Sequence, residues 1–240
     1  MISIVIPTRN EEKIIEKTLS QLKKSLTISH EIIVCDGNST DATAMIALKY
    51  ADKVVIQDKL RPKNIATGRN QGAEAAAGEY IVFLDADCTI ANPDLFFTKA
   101  LAYFEKHPKT VGLCARLKVL PEVSTLMDKI VFACVNITYA FFNNVLHSGA
   151  ASGEFGMFKK TAFQQAGGYK EHLAAAEDID FFHAISKLGR THLLMSLVVY
   201  HTGRRAHQVG WPTLLWSWFA NTVSLVFTKK SASKEWEVVR

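Results

Sequence analysis

The first hundred residues alternate short, wholly apolar runs with segments of helical periodicity, and each apolar run stops on polar residues. Ile2, Ile4 and Ile6 lead into Thr8-Arg9-Asn10, EIIVC leads into Asp36-Gly37, and YIVFL leads into Asp85-Ala86-Asp87. Between the first two, Ile15, Leu19, Leu22 and Leu26 recur at spacings of 4, 3 and 4, which is one face of a helix. Strands that are apolar on both faces and separated by helices belong to an α/β fold with a mostly parallel central sheet flanked by helices. Ligands of such sheets bind beyond the carboxyl ends of the strands, so the scattered polar residues are expected to converge there. Asn10 reads as the cap of the first helix, with Glu11 and Glu12 in its first turn. Asn92 caps a later helix with Pro93 at its first position and Leu95, Phe96, Ala100, Leu101 and Phe104 on its apolar side.

The second half is more mixed. VGLCARLKVL, SGEFGMFKK and LLMSLVVY read as strands, and Pro121 to His147 as a helical or broken-helical apolar segment. Thr161 to Ala166 and Glu177 to Leu188 read as helices, the latter with Ile179, Phe182, Ile185 and Leu188 inward. With no repeat and no low-complexity linker, the chain reads as one compact domain carrying a C-terminal apolar helix.

Composition narrows the function. Of 240 residues, 48% are apolar and 21% charged, which excludes a disordered chain. The net charge of +5 suits an anionic partner such as a nucleotide, a phosphorylated lipid or a membrane face. Four cysteines without a CxxC pair point to buried thiols in a reducing compartment. The opening MISIVIPTRNEE has no basic region before its apolar stretch and reads as a strand, not a signal peptide. Residues 130–153 and 209–228 contain no Lys, Arg, Asp or Glu, but polar residues, Pro or Gly interrupt both, so interfacial attachment is expected over a full crossing. Neither GxGxxG nor GxxxxGK[ST] occurs, which removes the usual phosphate cradles of NAD enzymes and P-loop hydrolases.

Four groups carry candidate chemistry. Asp85 and Asp87, at a strand end, suit a hard divalent cation, Mg²⁺ or Mn²⁺, shared with substrate phosphates; a solvated turn is the plainer reading. Asp36 can accept a hydrogen bond from a nucleotide base, and Arg69 is either a surface residue or reaches the nucleotide or Asp36. Glu177, Asp178 and Asp180 crowd a helix start, and one of them held over a cleft can serve as a general base. His201 can complete the cation site through a ring nitrogen, and Arg204 or Arg205 can neutralise a departing diphosphate.

Five segments in order, IPTRNEE, IIVCDGNSTDAT, GRNQGAEAAAGEYIVFLDAD, GEFGMFKKTAFQQAGGY and AEDIDFFHAISKLGR, resemble the inverting glycosyltransferases of family 2 with the GT-A nucleotide-diphospho-sugar transferase fold. The resemblance implies a nucleoside diphosphate sugar as donor and Asp36 on its base, Asp85 near ribose and metal, and Asp87 on the metal. It implies Asp178 as catalytic base with Glu177 beside it, and Pro7, Arg9 and Glu11 lining the nucleotide pocket. It divides the chain into a transferase domain over 1–208, nucleotide-binding to about 110 and acceptor-side beyond, and a C-terminal segment over 209–240. Two departures stand out: Cys35 where many relatives have Asp, and a longer loop, Gly37-Asn38-Ser39-Thr40-Asp41. Metal-dependent inverting transfer to a hydroxyl, glycan or polyprenyl-linked acceptor is the expectation, with a nucleotidyltransferase or a non-catalytic nucleotide-sugar-binding protein as alternatives. No nucleic-acid partner is implied. The expected location is cytoplasmic, peripheral on the inner membrane face through Leu214 to Phe227 and the following Lys229, Lys230 and Lys234. The competing account packs that helix on the domain or on a second subunit of a homo-oligomer.

Overall fold

The computed structural model describes residues 1–233; Lys234 lies outside the described residues. An eight-stranded sheet runs through it, formed by β1 (Ile2–Thr8), β2 (His30–Asp36), β3 (Lys53–Ile56), β4 (Tyr80–Leu84), β5 (Cys88–Thr89), β6 (Thr110–Val119), β7 (Phe155–Lys159) and β8 (Arg190–His201). The helices are α1 (Ile15–Ser25), α2 (Thr43–Tyr50), α3 (Ile65–Glu74), α4 (Pro93–Lys106), α5 (Leu126–Ala140), α6 (Lys160–Gln165), α7 (Glu177–Ile185), α8 (Arg204–Val209) and α9 (Trp211–Thr228); a π-helical turn, Phe141–Val145, continues α5.

The sheet order is β3-β2-β1-β4-β7-β6-β8-β5. The first four strands are parallel, as the apolar runs require. All seven residues of β1 are buried because helices cover both faces. Ile2, Ile4 and Ile6 pack with α1 and α4 through Leu19, Leu22, Phe97 and Phe104. Val5 and Ile33 pack with α3, α6 and α7 through Ala66, Phe163 and Phe181. Gly72 lets α3 settle on β1: a Cβ there would lie 2.2 Å from Val5 Cγ1.

Beyond β4 the sheet is mixed, which corrects the expectation of a mostly parallel one. β7 runs antiparallel to β4 and β6, β8 is parallel to β6, and β5 is antiparallel to β8. Direction then decides which residues reach the carboxyl edge of β1, β2 and β4. Thr8 pairs with Asp36 at that edge. Leu84 pairs with Phe155, so the start of β7 lies there rather than its end. Cys88 pairs with His201, which brings the end of β8 beside Asp87.

Several local expectations change. Asn10 caps no helix: it has φ 55°, and its Oδ1 accepts the Thr40 N–H at 2.7 Å, tying the loop after β1 to the loop after β2. The first helix starts only at Ile15, so Glu11 and Glu12 lie outside it, and Glu12 accepts the Ala42 N–H at the start of α2. Asn92 does cap α4, accepting the Leu95 N–H at 3.0 Å, but Leu95 is exposed and Phe97 takes the inward position. On α7 the inward residues are Phe181, Phe182 and Ile185, and Leu188 lies beyond the helix end, exposed. The C-terminal helices are anchored to the body: Asp128 of α5 accepts from Trp211 Nε1 at 2.9 Å and pairs with His207 Nε2 at 2.8 Å, while Trp211 and Leu214 join the core around Phe132.

Candidate active site

A cavity of about 1440 Å³ opens along the carboxyl edge of the parallel strands and runs under α5 and α9. Its polar end is lined by Pro7, Arg9, Glu11, Arg69, Asp85, Asp87, Glu154, Glu177, Asp178, His201 and Arg204, which gathers residues from both halves of the chain. The expected convergence of strand ends is therefore present. Asp36 is the exception among the candidates: it ends β2, yet its carboxylate accepts the Ser39 N–H at 2.9 Å and the Ser39 hydroxyl, and only its neighbours Cys35 and Gly37 line the cavity. Two bonds leave acceptor capacity on a carboxylate with about four lone-pair sites. Burial and the adjacent Asp36 push the Cys35 thiol up to about 12, so it is no nucleophile.

Arg69 is neither a surface residue nor a partner of Asp36. It is fully buried, donating from Nη1 to Glu177 Oε1 at 2.8 Å and from Nη2 to Asp85 Oδ1 at 3.2 Å and to the Gly153 carbonyl at 2.9 Å. Its guanidinium lies 5.2 Å from the centre of the Tyr169 ring. Burial alone would weaken its charge, but Asp85, Tyr169, Glu177 and Asp178 hold it more firmly protonated than usual. One cation thus links the loop after β4 to the start of α7. A Cβ at Gly153 would sit 2.3 Å from Nη2, so that glycine makes room for the guanidinium.

A second arginine closes the other side. Arg204 donates twice to Glu11, at 2.8 and 2.7 Å, and its Nε lies 3.3 Å from Asp87 Oδ2. Thr202 Oγ1 also donates to Asp87 at 2.7 Å. This pairing follows from the β5–β8 contact, and Thr202 carried no signal of its own in the sequence.

Two carboxyl groups of this edge, Asp85 and Asp178, are strongly perturbed. Burial pushes Asp85 up to about 7, with Glu154 and Asp87 adding to the rise and Arg69 opposing it. Burial and the neighbouring Glu177 raise Asp178 well above the usual carboxylate range, against Arg69 and the Ile179 N–H that Asp178 accepts at 2.7 Å. Asp180 instead pairs with Lys170 at 2.8 Å, away from that group. Glu154 was not picked out from the sequence, although GEFGMFKK contains it; its Oε2 is buried and has no hydrogen-bond partner.

Among the described residues, no three His, Cys, Asp or Glu side chains are grouped to hold a metal unaided. Asp85, Asp87 and His201 therefore do not form a closed ligand set. His201 Nδ1 accepts the Gly203 N–H at 3.2 Å and its Nε2 is buried without a partner. The remaining chemistry fits a cation that shares its shell with a ligand. Hard carboxylate oxygens of Asp85, Asp87 and Glu154 gather in one cavity, and the buried Oε2 of Glu154 has no donor.

This sheet, with a parallel nucleotide-type half and carboxylates at its carboxyl edge, is the GT-A fold of nucleotide-sugar transferases. It matches the mannosyltransferase PcManGT from Pyrobaculum calidifontis, solved with GDP-Man and Mn²⁺, at a TM-score of 0.69 and 19% identity over 95% of this chain and 63% of that one. It matches S. aureus TarS, solved with UDP-GlcNAc, at a TM-score of 0.65 and 21% identity over 83% of this chain and 57% of that one. The chain belongs to glycosyl transferase family 2, whose family model matches residues 3–167. Among curated relatives, the succinoglycan biosynthesis protein ExoA of Rhizobium meliloti is 26% identical over 211 residues, 78% of this chain. The chain spans 58% of that relative's length.

Proposed function

We propose that this chain transfers a sugar from a nucleoside diphosphate sugar to a hydroxyl or phosphate acceptor in glycan or glycolipid synthesis, with inversion at the anomeric carbon and dependence on Mg²⁺ or Mn²⁺. The observation that carries the reading is the position of Asp178: a perturbed carboxyl group in the same cavity as Asp85 and Asp87, held there through Glu177 and Arg69. A protein that only bound nucleotide sugars would have no use for it. Pro7, Arg9, Cys35 and Gly37 line the nucleotide end, and Asp36, between the last two, offers its remaining lone pairs to the base. Asp87 and Asp85 would hold the cation, which when bound supplies positive charge to the diphosphate oxygens. Arg204, presented by Glu11, neutralises charge on the departing diphosphate. Asp178 accepts the acceptor proton as the acceptor oxygen attacks, and burial with the neighbouring Glu177 raises its affinity for that proton. Glu177, committed to Arg69, positions the start of α7 and does not itself move a proton.

The family membership, the shared fold with enzymes solved beside UDP-GlcNAc and GDP-Man, and the arrangement of Asp85, Asp87 and Asp178 support this reading. The test is thermal stabilisation by a panel of nucleoside diphosphates and their sugars with and without Mn²⁺. Stabilisation by at least one nucleotide only when Mn²⁺ is present is the expected result. Equal stabilisation with EDTA, in wild type and Asp87→Asn alike, contradicts the metal dependence.

A further inference from the structure

Helices α5 and α9 each bury one stripe and expose a second apolar one, where a surface helix normally presents polar residues. On α5 and its π-helical continuation the exposed stripe is Met127, Ile130, Cys134, Ile137, Phe141 and Val145. On α9 it is Trp216, Phe219, Val223 and Phe227, with Trp216 70% and Phe227 81% exposed. The helices lie side by side, since Ile130, Cys134 and Thr138 share a groove with Leu215. Two outward apolar stripes on neighbouring helices are of a kind that marks an interaction site.

Charge around these stripes selects their partner. No Asp or Glu occurs in α9, and the one acid of α5, Asp128, is buried against Trp211 and His207. Exposed Lys129 lies on α5, and exposed Lys229 and Lys230 follow α9 directly. This surface is also continuous with the catalytic cavity: Phe142, Val226 and Lys229 are exposed and line the same cavity as Asp178. Among the described residues, no helix is long and apolar enough to cross a membrane. We infer that the paired faces of α5 and α9 dock this protein onto an anionic bilayer surface, so that an acceptor held in the membrane reaches Asp178 through the opening between them. Apolar side chains with Trp, bordered by lysines and lacking carboxylates, suit insertion at the headgroup boundary of an anionic leaflet. The acceptor class, lipid-carried, rests on the sugar-transfer reading; the docking itself does not.

The experiment is co-sedimentation of the full chain with vesicles of phosphatidylcholine alone or mixed with phosphatidylglycerol, at low and high salt. Wild type should bind the mixed vesicles at low salt and release them at high salt. Lys229→Gln and Lys230→Gln should each weaken binding about fivefold, and Trp216→Ser with Phe227→Ser at least about tenfold. Nucleotide-induced thermal stabilisation is measured on the same variants to show that they are folded and that the donor end is intact. Wild type that fails to bind the mixed vesicles overturns the docking while leaving the transfer reading standing. A concentration-dependent dimer that Trp216→Ser dissolves, without vesicle binding, overturns it in favour of a second copy of the chain. Vesicle binding without stabilisation by any nucleotide would support the docking and contradict the transfer reading instead.

Discussion

The two halves of the sheet deliver their side chains to the cavity by different rules. In β3-β2-β1-β4 all strands point the same way, so every strand end arrives at one edge and Thr8, Asp36 and Asp85 converge without further help. In β7-β6-β8-β5 the directions are mixed, and the cavity receives the beginning of β7 at Glu154 and the end of β8 at His201 to Arg204. Ion pairs fasten the two sets together: the buried pair of Arg69 of α3 with Glu177 of α7, and the half-buried pair of Arg204 after β8 with Glu11 after β1. The lesson is that the first half is organised by register and the second by charge, and the cavity works only where the two meet.

Removing the main fastener should have the largest effect on the fold. Arg69→Met leaves Asp85 and Glu177 buried without their cation, a loss of about 3–5 kcal/mol for a broken buried pair. Chemical denaturation should show a lower midpoint with an unchanged slope. A midpoint equal to wild type would mean that the halves are held by packing alone. A smaller cost is expected for a change confined to the register-built half. Gly72→Ala drives a Cβ against Val5 and should cost about 1–3 kcal/mol by overpacking. The measurement is the denaturation midpoint, and a midpoint equal to wild type would mean that β1 and α3 yield to the added methyl without cost.

The smallest effect is a pH dependence that reports the charge-built junction. Asp85 is raised in the fold relative to the unfolded chain, so it holds a proton there that unfolding releases. Its contribution is fully present below about pH 4 and is lost as pH rises through about 7. The ligand-free protein should therefore melt a few degrees lower at pH 8 than at pH 6, and Asp85→Asn should flatten that slope. A wild-type slope that Asp85→Asn leaves unchanged would place the titration elsewhere.

Much of the first half was legible because short, wholly apolar runs between helical segments specify strands covered on both faces, and parallel strands put all their ends together. Asp36, Asp85 and Asp87 were readable as candidates from their places at the ends of apolar runs, and Asp178 from the crowding of carboxylates at a helix start. Arg69 was readable as a candidate, but its burial and its pairing with Asp85 and Glu177 were not, since α3 is rich in Gly and Ala and shows no clear apolar stripe; that burial comes from the close approach that Gly72 permits. Asn10 misled because the chemistry that caps a helix also closes a loop, and here the donor it accepts from is the Thr40 N–H. Glu154 and Thr202 were invisible for a topological reason: whether a strand's beginning or its end reaches the cavity depends on direction, which periodicity does not encode. The outward apolar stripes of α5 and α9 were partly legible as uncharged segments, but which residues face out depends on how Asp128 anchors Trp211 and His207.

The central claim, that one half binds the donor and the other performs the proton transfer, is tested most directly by measuring donor Kd and single-turnover rate on Asp36→Asn and Asp178→Asn side by side. Asp36→Asn should weaken donor binding about 10- to 100-fold, the worth of a hydrogen bond to a charged group, and keep most of its rate at saturating donor. Asp178→Asn should keep its donor affinity and lose about 10²–10⁴ in rate to a hydroxyl acceptor. Full-rate transfer by Asp178→Asn, or loss of donor binding in Asp178→Asn comparable to that in Asp36→Asn, would contradict the division.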